Sequence, residues 1–163
     1  MNDQSLNEAS LLGEHLAKML EWGDAHVDFN TAVSGISVEF QGVCPVGLPY
    51  SVWQLLEHIR LTQSDILNFC RDPNYRAPKW PDQYWPESAA PPNPDSWQKS
   101  IDSYLAERRE MQNLLTDAGS NLFARIPHGE VQTFLREALL LADHTAYHLG
   151  EIIAVRRLLG IWK

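Results

Sequence analysis

The chain has 163 residues, 44% hydrophobic and 21% charged, a balance that excludes wholesale disorder and fits one folded domain spanning residues 1–163. Its net charge of −8 repels phosphate backbones, and the best basic candidates, Arg108-Arg109 and Arg156-Arg157, fall inside apolar helical patterns, so no nucleic-acid partner is expected. Cys44 and Cys70 form no CxxC, the N-terminus is too polar for a secretory leader, and no apolar run spans a bilayer, so the expectation is a cytoplasmic protein with no membrane partner.

The first helical pattern runs from about Leu6 to Glu21, with Leu12, Leu16, Met19 and Leu20 on one stripe. Gly23 interrupts it. Ala25 to Gly35 forms a second helical piece with Phe29, Val33 and Ile36 inward, and the pattern leaves open whether Trp22-Gly23-Asp24 is a kink or a turn. Val38 to Tyr50, which holds Gly42, Pro45, Gly47 and Pro49, reads as a loop. Ser51 then opens a strong helix as N-cap, with Gln54 completing a capping box and Tyr50 and Leu55 at the staple positions. This helix extends to Phe69 or Cys70, with Leu55, Ile59, Thr62, Ile66 and Phe69 inward and Trp53 and Leu56 beside them.

Residues 71–94 hold seven prolines, which block a continuous helix, together with Tyr75, Trp80, Tyr84 and Trp85. So many large aromatics predict a strap packed onto the fold. Its length suffices to carry the chain along a bundle and join two helices in parallel. Asp95 reads as the next N-cap with Gln98 at N3, the helix running from Ser96 to Ala118 and closing at Gly119. Leu122, Phe123 and Ile126 are expected to plug the bundle end. The last helix runs from Glu130 to Leu159 and stops at Gly160, with Phe134, Leu141, Thr145, His148, Ile152, Val155 and Leu159 on its stripe. Four main helices without a strand predict an all-α four-helix bundle.

The chemistry resides in the histidines. His144 and His148 are four apart on a helix, about 40° and about 6 Å from each other, so both rings reach one point. Imidazoles at this spacing commonly hold a divalent metal. Their neighbours Leu141, Ile152 and Val155 are apolar, so the rings need partners: a metal, a carboxylate or each other. His58 lies beside the inward stripe of the second main helix and supplies a third ligand across the bundle. Three protein ligands leave a coordination position for water or substrate. Imidazole suits zinc, nickel, iron and copper without choosing among them. Glu57 and Asp143 point about 100° away from the histidine faces. Glu151, seven residues after His144, returns near that face as a candidate partner. His128 reads as an anchor for the last helix, His26 as structural or pocket-lining, and His15 as outward-facing. No ExxH pairs, HExxH, GxSxG or phosphate loop occurs.

The segment Ser51-Val52-Trp53-Gln54-Leu55-Leu56-Glu57-His58-Ile59 resembles the DinB-like superfamily, unrelated to the translesion polymerase of the same name. So do Lys79-Trp80-Pro81, Tyr84-Trp85-Pro86, Ile126-Pro127-His128-Gly129 and the run from Ala142 to Ile152, so that the resemblance covers essentially the whole chain. It implies a four-helix bundle with a long crossover between helices two and three, and a metal held by one histidine of the second helix and two of the last. Those positions correspond to His58, His144 and His148. It also implies a homodimer. Relatives resemble thiol-dependent S-transferases that use bacillithiol or mycothiol, or maleylpyruvate isomerases.

The expectation is therefore a divalent-metal-dependent enzyme on a small-molecule ligand. It would be S-transferase-like, with a low-molecular-weight thiol as co-substrate and with zinc, nickel and iron not distinguished. Trp53, Tyr147 and the 71–94 strap would wall its pocket. The alternative is a non-enzymatic stress-response or binding protein with a vestigial three-histidine site.

Overall fold

Ser51 starts the helix that organises the molecule. Its hydroxyl accepts from the backbone N–H of Gln54 at 3.2 Å, and the Gln54 side chain accepts in return from the Ser51 N–H at 3.1 Å. The reciprocal pair satisfies two N–H groups that a helix start leaves open. The computed structural model describes residues 3–21, 23–117 and 121–162. Its helices are α1 (Asp3–Met19), α2 (Phe29–Val33), α3 (Val38–Gln41), α4 (Val52–Arg71), α5 (Ser96–Thr116) and α6 (Phe134–Leu158). A short 3-10 turn, Asp82–Tyr84, lies in the strap between α4 and α5. Among the described residues no helix is long and apolar enough to cross a membrane.

α1, α4, α5 and α6 form the bundle. Gln63 of α4 donates to the Tyr104 carbonyl of α5 at 2.7 Å, while Ser100 meets Glu57 and Arg71 meets Glu110. Rising numbers pair with rising numbers, so α4 and α5 run parallel, as the long crossover predicts. α1 opposes α5, with Gln112 donating to the Ala17 carbonyl at 2.8 Å and Gly13 lying against Leu115. α6 opposes α4: His58 meets His144 and His148 at one level, and His128, just before α6, meets Phe69 near the other end of α4.

The apolar core falls into two clusters. One gathers Phe29, Val33, Leu55, Ile59, Tyr104, Leu149 and Ile152; the other gathers Leu16, Leu20, Ile66, Leu67, Met111, Leu115 and Leu141. On α4 the first ends at Ile59 and the second begins at Ile66; on α6 the second ends at Ala142 and the first begins at Leu149. The level between them is polar and buried, holding Gln63, Thr145 and His148.

The question left open at Gly23 is answered by a full separation: α1 stops at Met19, and α2 is a separate five-residue helix capped by the Asp28 carboxylate, which accepts from the Thr31 N–H at 2.7 Å. Other expectations are corrected. Trp22 and Gly119, named at the expected break and cap, lie outside the described residues. The 38–50 loop contains α3, a single turn whose Gln41 is buried and donates to the Ile36 carbonyl at 3.2 Å. Gly42 follows because a Cβ there would stand 2.5 Å from the Cβ of Ala90 in the strap.

Asp95 does not cap α5 through its side chain. Its backbone is already helical, at φ −86 and ψ −12, so the carboxylate cannot fold back over the first turn, and Gln98 donates to Asp102 at 2.9 Å instead. α6 begins at Phe134, four residues later than expected. An Arg125–Thr133 bridge and the Ile126 N–H to Gln132 carbonyl bond, 2.8 Å, hold the preceding residues extended, and Thr133 becomes the N-cap. Leu122 and Ile126 plug the bundle end as expected, but Phe123 is 62% exposed.

Candidate metal centre

His58 sits two turns into α4, where the capped start fixes the helix phase. His144 and His148 share one face of α6 at the same level. His58 and His148 are buried and His144 is half-buried. The ring centroids lie 4.8 Å apart for His58 and His144, 4.5 Å for His58 and His148, and 4.4 Å for His144 and His148. One ligating nitrogen from each ring falls within 4.8 Å of the others, so the three together could hold a metal ion.

Hydrogen bonds fix which nitrogen faces inward. His58 Nδ1 lies 2.8 Å from the Tyr84 carbonyl, which can only accept, so Nδ1 carries the hydrogen and Nε2 the lone pair. His148 Nδ1 donates to Glu151 Oε2 at 2.6 Å, which leaves its Nε2 free to ligate as well. His144 Nε2 stands 3.0 Å from His58 Nε2, a contact that closes only if His144 donates or if a cation binds both. This separation is close to the roughly 3.3 Å between two imidazole nitrogens on one tetrahedral ion. His144 Nδ1 is buried without a hydrogen-bond partner.

Burial disfavours the charged form of two of the three rings. Burial pushes the His144 imidazole down to about 3, and the neighbouring His148 and His58 push the same way. His58 is also lowered, by burial first and by His148, against the raising effect of its bond to the Tyr84 carbonyl. Neutral imidazole is the form that ligates metals.

The stretch that carries these histidines and the aromatic crossover matches a known family. The model describing the DinB superfamily matches residues 21–152, which include all three histidines and the whole strap. The chain belongs to the DinB superfamily. Neither the curated proteins nor the solved structures compared with it gave a match.

In this DinB-superfamily bundle the strap forms one wall of the cluster. The Trp85 ring stacks on His58 at 3.8 Å and 6°, and Tyr50 stacks on the other face of the same column, 4.2 Å from Trp85. Tyr147 meets His148 edge-on at 4.9 Å while remaining 65% exposed, so it stands at the rim. Trp53 is buried against Trp97, at 6.5 Å, in the apolar cluster rather than on the histidines.

Glu57 is taken up elsewhere: it pairs with Arg60 at 2.8 Å and meets Ser100, and these partners outweigh burial to lower its pKa. Asp143 and His15 are exposed, as their helix positions predict. His128 bonds the Phe69 carbonyl at 2.6 Å and ties the segment before α6 to the end of α4. His26 is exposed and bonds the Val27 carbonyl at 2.9 Å.

Cys44 and Cys70 are both free. Burial, with the Glu137 carboxylate, pushes the Cys70 thiol up to about 12, the opposite of an activated nucleophile. The sequence placed the 71–94 strap at the pocket wall, as the structure does, but did not single out Tyr84 and Trp85 as the residues that meet the histidines. The one signal was the proline-spaced aromatic cluster itself, since a carbonyl acceptor leaves no trace in residue type.

Proposed function

We propose that His58, His144 and His148 hold a divalent metal ion and that the chain is a metal-dependent enzyme on a small molecule, of the thiol-dependent S-transferase kind. The observation that carries this reading is the pair of hydrogen bonds that fix two rings with Nε2 inward: His58 to the Tyr84 carbonyl and His148 to Glu151. Ligating histidines typically donate their second nitrogen to a carbonyl or carboxylate in this way. Two imidazoles that burial holds toward the neutral form, His58 and His144, converging on His148 also suit a borderline first-row cation better than a purely structural polar core.

Such an ion, when bound, supplies Lewis acidity and lowers the pKa of a coordinated thiol or water. The chain's own groups do the rest. Tyr84 and Glu151 orient the rings, and Trp85 with Tyr50 shields His58 from water on one side. Tyr147, exposed at the rim, offers an aromatic surface to an incoming substrate.

Metal content per chain, measured on untagged protein beside a His148→Ala control, tests the proposal. Near-stoichiometric metal that falls in the variant supports it and directs a screen of thiol donors and electrophiles. No metal, even after reconstitution, makes the three histidines a polar core cluster and favours a non-enzymatic binding role.

A further inference from the structure

Asp65 is a buried-side acid that the centre itself does not use. It lies seven residues after His58 on α4, two turns or about 10.5 Å along the same helix face. One strap residue spans the distance between them. The Tyr84 hydroxyl donates to Asp65 Oδ2 at 2.7 Å, while the Tyr84 carbonyl accepts from His58 Nδ1 at 2.8 Å. Tyr84 is itself buried, closes the 3-10 turn through its N–H to the Pro81 carbonyl at 3.1 Å, and precedes the Trp85 that stacks on His58. Tyr75, also in the strap, faces the same carboxylate; burial first, and that carboxylate second, push its phenol up to about 12.

We infer that Asp65 is a positioning residue: through the Tyr84 hydroxyl it holds the strap in the register that puts the Tyr84 carbonyl on His58 Nδ1, and so keeps His58 Nε2 aimed at its two partner histidines. The physical basis is that the strap has no helical hydrogen bonds of its own between residues 85 and 95: the Ser51 hydroxyl, which donates to the Ala89 carbonyl, ties its later part to the start of α4, and the Tyr84–Asp65 bond is the tie on the other side of His58. A charge-assisted bond from a phenol to a half-buried carboxylate is among the stronger anchors available. A slip of the strap along α4 removes the one acceptor that selects the His58 tautomer. Solvation does not replace it, because His58 is buried under Trp85.

As regards metal binding this inference rests on the proposed function, but its first readout does not. In 15N-labelled, metal-free protein, long-range 1H–15N spectra report the His58 tautomer directly. Wild type is expected to show the hydrogen on Nδ1. Asp65→Ala and Tyr84→Phe are expected to show a mixture of tautomers, and Asp65→Asn, whose amide oxygen still accepts from the phenol, to keep the wild-type form. Competition with a chromophoric chelator then reads affinity for Co(II), expected to fall about tenfold in the first two variants and little in Asp65→Asn.

A role confined to stability would lower the melting temperature of these variants and leave both the tautomer and the affinity of the folded protein unchanged, which would overturn the inference. Tyr84→Phe keeps the ring and removes one oxygen, so it carries the test if Asp65→Ala does not fold. Wild type that binds no Co(II) defeats the metal reading alone, and the tautomer result still decides the role of Asp65.

Discussion

His148 Nδ1 lies 2.6 Å from Glu151 Oε2, three residues on along α6. The carboxylate remains about a third exposed, at 31%, while the imidazole is buried. The bond therefore runs from the centre outward to solvent, and it sets the orientation of a ring whose other nitrogen faces His58 and His144. Removing the acceptor frees the ring to turn or to change tautomer. Glu151→Ala is expected to weaken metal binding about tenfold or more, and Glu151→Gln, which keeps an acceptor oxygen without the charge, to weaken it less. Chelator competition with Zn(II) or Co(II) measures both. Equal affinity in all three proteins would reduce Glu151 to a surface contact.

Acid should destabilise the metal-free protein earlier than its carboxylates alone would dictate. His144 is held down at about 3 and His58 is also lowered, both from an ordinary value of 6.5, with burial as the first cause. Between those limits the unfolded chain binds more protons than the folded one, so stability rises with pH there. The contribution is complete above about 6.5 and is lost as pH falls toward 3. Glu57, lowered from 4.5 by its Arg60 and Ser100 bonds, acts in the same direction but only at the acid end. Urea unfolding at pH 7, 6, 5 and 4 should show a decline that begins above pH 5. His144→Gln should flatten that early part, and an unchanged slope in the variant would mean that His144 titrates normally.

How much of this could be read from the sequence depends on whether the cause is local. Ser51 and Gln54 are three apart and cap α4 as their types predict. Asp95 and Gln98 carry the same pattern and make no cap, because the turn before α5 had already set Asp95 in helical backbone. A motif names candidate partners, but the preceding chain decides whether their geometry is reached. His144 and His148 were legible because four residues on one helix fix their relation, and His58 because it flanks the stripe of a well-capped helix. Tyr84 and Trp85 were not, because their position depends on the path of the strap across α4. Phe123 misled for the reverse reason: an apolar residue beside Leu122 and Ile126 looks like core, but the turn aims it at solvent.

Trp85 should control the environment of His58. It covers that ring at 3.8 Å and nearly parallel, at 6°, and burial is the first cause of the lowered His58 pKa. Trp85→Ala admits water to the ring, so the His58 titration followed by NMR in metal-free protein should move up toward 6.5. The stack itself contributes about 1 kcal/mol, and losing the half-buried indole altogether should cost about 2 kcal/mol of stability by urea unfolding. Trp85→Phe restores a ring over His58 and should recover most of both effects. A His58 titration unmoved by Trp85→Ala would place the source of its burial in the helices rather than in the strap.

The approach of α1 to α5 depends on Gly13, a residue that no periodicity singles out. A Cβ there would stand 2.3 Å from the Leu115 carbonyl oxygen and 3.3 Å from its carbon, both backbone atoms of α5 that cannot rotate aside. Alanine favours helix over glycine by up to about 1 kcal/mol, so the substitution would stabilise a free helix. Here the clash should dominate, because the two helices must separate along a packed core that includes Leu16, Met111 and Leu115. Gly13→Ala is expected to cost about 2 kcal/mol net. Gly150 in α6 is the matched control: it is exposed, a Cβ meets nothing within 4 Å, and Gly150→Ala should stabilise by up to about 1 kcal/mol. Urea unfolding of the two variants should therefore move in opposite directions. Metal affinity of folded Gly13→Ala should stay at the wild-type value, since all three candidate ligands come from α4 and α6 and none from α1. A stabilised Gly13→Ala would mean that α1 rides loosely on α5 and that the bundle tolerates their separation.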